Sequence, residues 1–155
     1  MHTLSSLVHK AVVSGTVASA VSAAVLALLA KLEGAAPVQP INATSHWRYG
    51  EDALKVTGIN TRHTGTGLAT HHAACVFWAS LFESIRSAAP DRRSALIVRD
   101  AGAVSLIAAI VDYGLVPTRL TPGWEGPLPI RSVAGGFAAL ALGLTIGGLI
   151  TCRRG

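Results

Sequence analysis

Residues 67–86 read GLATHHAACVFWASLFESIR, an apolar run that nevertheless carries His71, His72 and Glu83. At about 1.5 Å per residue, a helix of this length matches a hydrocarbon core about 30 Å thick. Polar side chains are costly at that depth and need partners. The partners must come from other segments, so this stretch dictates how the rest of the chain is placed around it.

The composition of the whole chain agrees with a lipid setting. Half of the 155 residues are hydrophobic and only 14% are charged, against about a quarter in ordinary soluble domains. Mean hydropathy is +0.48. Outward from 67–86, three more apolar runs stand out, and the four spans are expected near 11–32, 67–87, 95–116 and 132–151. The first ends at Lys31-Leu32-Glu33, which is unlike a signal-peptidase site, so a retained helix is expected rather than a cleaved leader. The third carries Arg99, Asp100 and Asp112 and stops at Pro117. These features predict an all-α, integral membrane four-helix bundle forming a single polytopic domain over residues 1–155.

Glu33 to Thr66 is the longest segment outside the spans, and it reads as an ordered outer loop at about 34–66. Pro37 and Pro40 start it extended, and His46-Trp47-Arg48-Tyr49 has the amphipathic character of an interfacial anchor. Ser45 is placed to cap a short surface helix running to about Val56. Trp124, in the Pro- and Gly-rich stretch 117–127, is likewise suited to the interface.

Small residues give each end span a packing face. Gly15, Ser19 and Ser22 fall at helical spacing in the first, and Gly136, Gly143 and Gly147 in the last. Such stripes let backbones approach closely. The two faces are expected to meet, within one chain or between copies of a homo-oligomer.

With both termini placed on the cytoplasmic side, seven basic residues fall there and six fall outside, in much longer loops. The greater density favours this orientation. The net charge of +5 is then explained by residues flanking spans, and no basic run with interleaved aromatics indicates nucleic acid. Cys75 and Cys152 read as small hydrophobes.

The topology places polar groups in two layers. The outer one holds His71, His72 and Asp112, with His46, Arg48, His63 and Arg119 from the loops. Asp112 is expected to pair with one histidine, or else with Arg119 or Arg48. The inner layer holds Glu83, Arg99 and Asp100, with Glu83–Arg99 as a structural ion pair and a basic turn at 87–93 beside it. Chemically, His71, His72 and Asp112, with His46 or His63, offer nitrogen and oxygen ligands for a metal, yet no recognised spacing supports one. Bis-histidine haem ligation would need a second helix bearing a central histidine, which only a second copy supplies. The acids and histidines also suit proton or ion transport, with small-solute transport as a related alternative. No G-x-S-x-G nucleophile motif occurs. The sequence therefore leans towards a non-enzymatic membrane subunit or oligomer, surrounded by lipid and holding no cofactor.

The blocks N-A-T-S-H-W at 42–47, T-H-H…F-W-A at 70–79 and D-Y-G-L-V-P-T-R-L-T-P-G-W-E at 112–125 resemble a family of small bacterial inner-membrane proteins of uncharacterised function. The resemblance implies location and architecture and assigns no chemistry.

Overall fold

The structure, a computed structural model, describes residues 4–88 and 94–153, all helix and loop without a strand. Most of the basic turn expected at 87–93, including Arg92 and Arg93, lies outside the described residues, as does Arg154. Six α-helices follow in order: α1 Leu4–Leu32, α2 Gln39–Ala43, α3 His46–Tyr49, α4 Thr66–Ala88, α5 Ser94–Ile110 and α6 Ile130–Arg153. Three segments are long and apolar enough to cross a membrane: Leu4–Leu32, Ser94–Leu115 and Ile130–Cys152. The stretch expected as the remaining span forms a helix, α4, but it is not among these three, its hydropathy being lower. The physical reason is its inward face, which carries His71, Glu83 and Arg86.

Helix ends differ modestly from the apolar runs. α1 begins at Leu4 because the helix continues through His9 and Lys10, whose side chains need not be buried. α5 gives way at its end to a π-helical turn, Val111–Leu115, where the Val116 N–H donates to the Val111 carbonyl at 3.0 Å. Pro117 prevents further helix.

The four long helices form a closed ring in which each packs on the next in the order α1, α4, α5, α6 and back to α1. All four neighbouring pairs run antiparallel. On the α1–α6 side, Gly147 lies against Ser14, Gly143 against Ala18 and Gly136 against Leu26. A Cβ on Gly143 would collide with the Ala18 backbone, and one on Gly147 would stand 2.5 Å from the Ser14 Cα. Only glycine permits this approach.

The expected partner face on α1 is therefore corrected by one residue. Gly15, Ser19 and Ser22 do not meet the α6 glycines; they seat α4. A Cβ on Gly15 would stand 2.6 Å from the Val76 Cα, while Ser22 and the Ser19 carbonyl meet His71. α1 has two small-residue stripes, and successive residues are about 100° apart on a helix. Ser14 and Ala18 belong to the stripe facing α6. Both stripes are used inside one chain.

α4 turns ionisable groups inward, beside apolar Cys75, Trp78, Ala79 and Phe82, and leaves large apolar side chains outside. His71, Glu83 and Arg86 are buried, whereas Leu68, Phe77, Leu81 and Ile85 are exposed. The outward Ser80 and Ser84 hydroxyls donate to carbonyls of their own helix, Phe77 and Ser80, at 2.7 Å each. α5 and α6 likewise expose Val98, Leu106, Ile110, Leu142 and Ile146.

The outer loops form an ordered layer over one end of the ring. Asn42 organises it: its amide donates to the Val56 and Gly58 carbonyls at 2.9 and 3.0 Å, and its oxygen accepts from Thr64 at 2.7 Å. Gly67 lets α4 start hard against the Ile41 carbonyl. The single surface helix expected from Ser45 to about Val56 is interrupted at Gly50, whose φ of 79° ends α3 before a 3₁₀ turn at Glu51–Lys55. Ser45 precedes α3 without a side-chain cap and donates to the Asn42 carbonyl instead. Beyond α1, Glu33 accepts two bonds from Arg131, at 2.8 and 3.1 Å, and one from Ser132 at 2.7 Å, tying the start of α6 to the end of α1.

Candidate functional site

At the inner end, Asp100 of α5 is 5% exposed and accepts from Arg99 at 2.8 and 3.0 Å. Its second oxygen meets buried Arg86 of α4 at 3.5 Å. Glu83 does not pair with Arg99 as the sequence suggests. It points between α1 and α6, where the Ser14 and Thr151 hydroxyls both reach its Oε1, the latter at 3.1 Å. Arg86, one turn further along α4, takes the place facing α5. The inner layer thus links all four long helices through polar groups satisfied by protein partners. Arg86 and the two hydroxyls were not singled out from the sequence. Arg86 closes the apolar run and reads there as a flanking charge, so its inward turn carries no sequence signal.

At the outer end, His71 is 4% exposed and binds α1. Its Nε2 lies 3.0 Å from Ser22 Oγ and 3.3 Å from the Ser19 carbonyl. A carbonyl only accepts, and the Ser22 proton is committed to the Ala18 carbonyl at 2.7 Å. Nε2 therefore carries the hydrogen, and neutral His71 keeps the lone pair on Nδ1. The same ring is 6.0 Å from Trp124.

Beneath the loop layer lies a cavity of about 210 Å³. His71, Cys75 and Trp78 line it from one face of α4, in keeping with their shared helical spacing. α5 contributes Asp112, α6 contributes Phe137 and Leu140, and the loops contribute Trp47 and Trp124. Trp124 is corrected from an interfacial anchor to a core residue. It is 5% exposed, with its ring 5.4 Å from Phe137 and its N–H donating to Thr44 at 3.2 Å. Gly136 leaves room for the indole. Trp47 is partly exposed and fixed by an N–H bond to Thr70 at 3.0 Å.

Asp112 sits in the π-helical turn that ends α5. The expected hydrogen bond to His71 or His72, or to Arg48 or Arg119, is not made. Among the described residues Asp112 has no hydrogen bond or ion pair, although it shares the cavity wall with His71. The reason is competition: α1 holds the His71 Nε2, while His72, next in sequence, is directed elsewhere and only half-buried. Arg119 donates to the Trp47 carbonyl at 3.0 Å, and Arg48 lies 5.5 Å from the Tyr49 ring centre. The hairpin of α4 and α5 is therefore joined by Arg86–Asp100 at the inner end and not by an outer Asp–His bond.

The loop histidines are occupied elsewhere. His46 lies between the Ala43 and Thr118 carbonyls, at 3.0 and 3.1 Å. His63 meets Ser45 at 3.1 Å and stacks edgewise on Tyr49. Among the described residues no three His, Cys, Asp or Glu side chains gather in an arrangement able to hold a metal. His71 and Asp112 border the cavity, but His46 and His63 do not complete a ligand set with them. The shape and chemistry of the cavity are those of a small-molecule site: apolar walls with a few polar groups.

No protein-family model, curated protein or solved structure matches the chain.

Proposed function

We propose that this chain is a non-enzymatic integral membrane protein with four spans, α1, α4, α5 and α6, whose outer end carries a small-molecule binding cavity. The observation that supports it is the burial of ionisable groups in α4 beside exposed large apolar side chains. Its ionisable groups His71, Glu83 and Arg86 are buried, while Leu68, Phe77, Leu81 and Ile85 face outward. In water that arrangement wastes apolar surface; in lipid it is the favourable one, because only the neighbouring helices can satisfy the polar groups. Low hydropathy in α4 then measures its contacts with protein rather than an aqueous setting.

Residence in a bacterial inner membrane, with both termini cytoplasmic and kinship to the resembling family, belongs to the same proposal. So does association with a second copy or another membrane subunit. That association would use the outward apolar faces, since the small-residue stripes are taken within the chain. A proton relay is less well supported. Fully buried Ala79 and Phe82 stand on α4 between His71 and the Glu83 layer.

Reporter fusions test the topology. Fusions near residues 50 and 125 should report one side of the membrane, and fusions between 88 and 94 the other, with the protein resisting alkaline extraction. Fusions near 50 and 90 reporting the same side would remove α4 from the spans and overturn the proposal.

A further inference from the structure

All three tryptophans of the chain, Trp47, Trp78 and Trp124, line the same cavity. Trp78 lies on α4, Trp47 on the short α3 and Trp124 in the loop before α6, so the convergence is a product of the fold. Phe137 adds a fourth ring. Threonine bonds to two indole N–H groups fix the orientation of those rings. Asp112 supplies the one carboxylate of the wall, and no lysine or arginine lines it.

We propose that the cavity binds a small organic ammonium ion with an apolar body. Three independent observations converge on this chemistry. Four aromatic rings line the wall, and an aromatic ring carries on its face the negative side of a quadrupole that attracts a desolvated cation. The Asp112 carboxylate has no hydrogen bond or ion pair among the described residues and so is left to serve as the counter-charge of a bound cation. The volume of about 210 Å³ exceeds the roughly 150 Å³ of an apolar cavity known to admit benzene, so there is room for an ammonium group carrying an apolar substituent. A metal ion is disfavoured because, among the described residues, no three His, Cys, Asp or Glu side chains gather to hold one, and Asp112 is the one carboxylate beside the wall's hydroxyls. An organic anion would face Asp112, and a neutral hydrocarbon would leave that carboxylate unpaired. His71 also lines the wall and adds an imidazole to it. A quaternary ammonium relies on the rings and Asp112 alone.

The arrangement goes beyond membrane topology and is tested separately from it, on the purified full-length protein in mild detergent. The tryptophans themselves report occupancy through their fluorescence. Benzyltrimethylammonium and choline are titrated against 3,3-dimethylbutan-1-ol, the uncharged isostere of choline, and benzenesulfonate. The expected result is a saturable change with both cations, binding of choline about tenfold or more tighter than of the isostere, and none with the anion. Asp112→Asn should weaken both cations about tenfold or more while leaving the weak response to the isostere unchanged. Equal responses to choline and its isostere in the wild-type protein would overturn the assignment, whether or not the variant folds. So would cation binding that survives Asp112→Asn in a protein with unaltered near-ultraviolet circular dichroism, or the absence of any saturable response.

Discussion

At one end of the helices Asp100 takes bonds from Arg99 at 2.8 Å and faces buried Arg86 at 3.5 Å; at the other, Asp112 meets no basic side chain and borders a cavity of about 210 Å³. Both acids belong to the same membrane-length segment, Ser94–Leu115. The inner acid is consumed by the fold: together with Arg86 it fastens α4 to α5, while Glu83 joins α4 to α1 and α6 through hydroxyls. The outer acid fastens nothing. A charge kept without a structural duty marks where binding is expected, whereas a charge with protein partners marks where packing depends on it.

The sharpest way to break that contrast is Asp100→Asn. It leaves Arg86 buried without its counter-charge, and the expected loss of stability is about 3–5 kcal/mol, read as a lowered thermal midpoint in detergent. Replacing Arg86 and Asp100 together by leucines should recover most of that loss, because no charge is then left buried alone. Next in size is Gly143→Leu, which drives a side chain into the Ala18 backbone at mid-helix. It is expected to cost about 3 kcal/mol and to separate α1 from α6, read as a lowered thermal midpoint in detergent. An unchanged midpoint would mean that this contact is not what holds the two layers together.

A smaller effect follows from Glu33, outside the spans. Hydrogen bonds from Arg131, and then from Ser132, hold its carboxyl below the ordinary value of 4.5. A folded-state value lower than the unfolded one contributes stability above pH about 4.5, and that contribution is lost as pH falls through the folded value. Wild-type protein should therefore lose slightly more stability on acidification than Glu33→Gln, with the difference shrinking at high salt. Parallel acid titrations of the two proteins check this. The smallest expected effect is that of Asp112→Asn on stability, within about 0.5 kcal/mol of wild type. A loss as large as that of Asp100→Asn would erase the distinction between the ends.

The helices were legible because uncharged runs and their flanking charges are local properties of the sequence. The expected stretches coincide with helices: α4, α5 with its π-helical turn, and α6 to within about two residues at each end, and α1 at its end, although it starts at Leu4 rather than 11. Register was not legible. α1 carries Ser14 and Ala18 on one stripe and Gly15, Ser19 and Ser22 on the next, and composition does not say which stripe meets which helix. Partner choice failed for the same reason. Glu83 and Arg86 are three residues apart on α4 and face different neighbours, which only the ring of helices decides. The shared face of His71, Cys75 and Trp78 was readable from spacing, but the arrival of Trp47 and Trp124 at that face depends on how the loops close.

With α4 as one of the four proposed spans, its inward polar groups bear on how the chain would enter a bilayer during synthesis. Helices such as α1 and α6 can be released into lipid one at a time, since their composition alone makes that favourable. α4 cannot be released on the same terms, for its histidine, glutamate and arginine find their partners only on α1, α5 and α6. Ser14, Ser19 and Ser22 emerge from the ribosome before α4 does, and a waiting α1 can receive His71 and Glu83 at once. Arg86 has no such early partner: Asp100 and Cys152 are made later. On the proposed four-span topology, the Arg86 end of α4 is the last part of that helix to meet its partners, and its insertion would wait on α5 and α6.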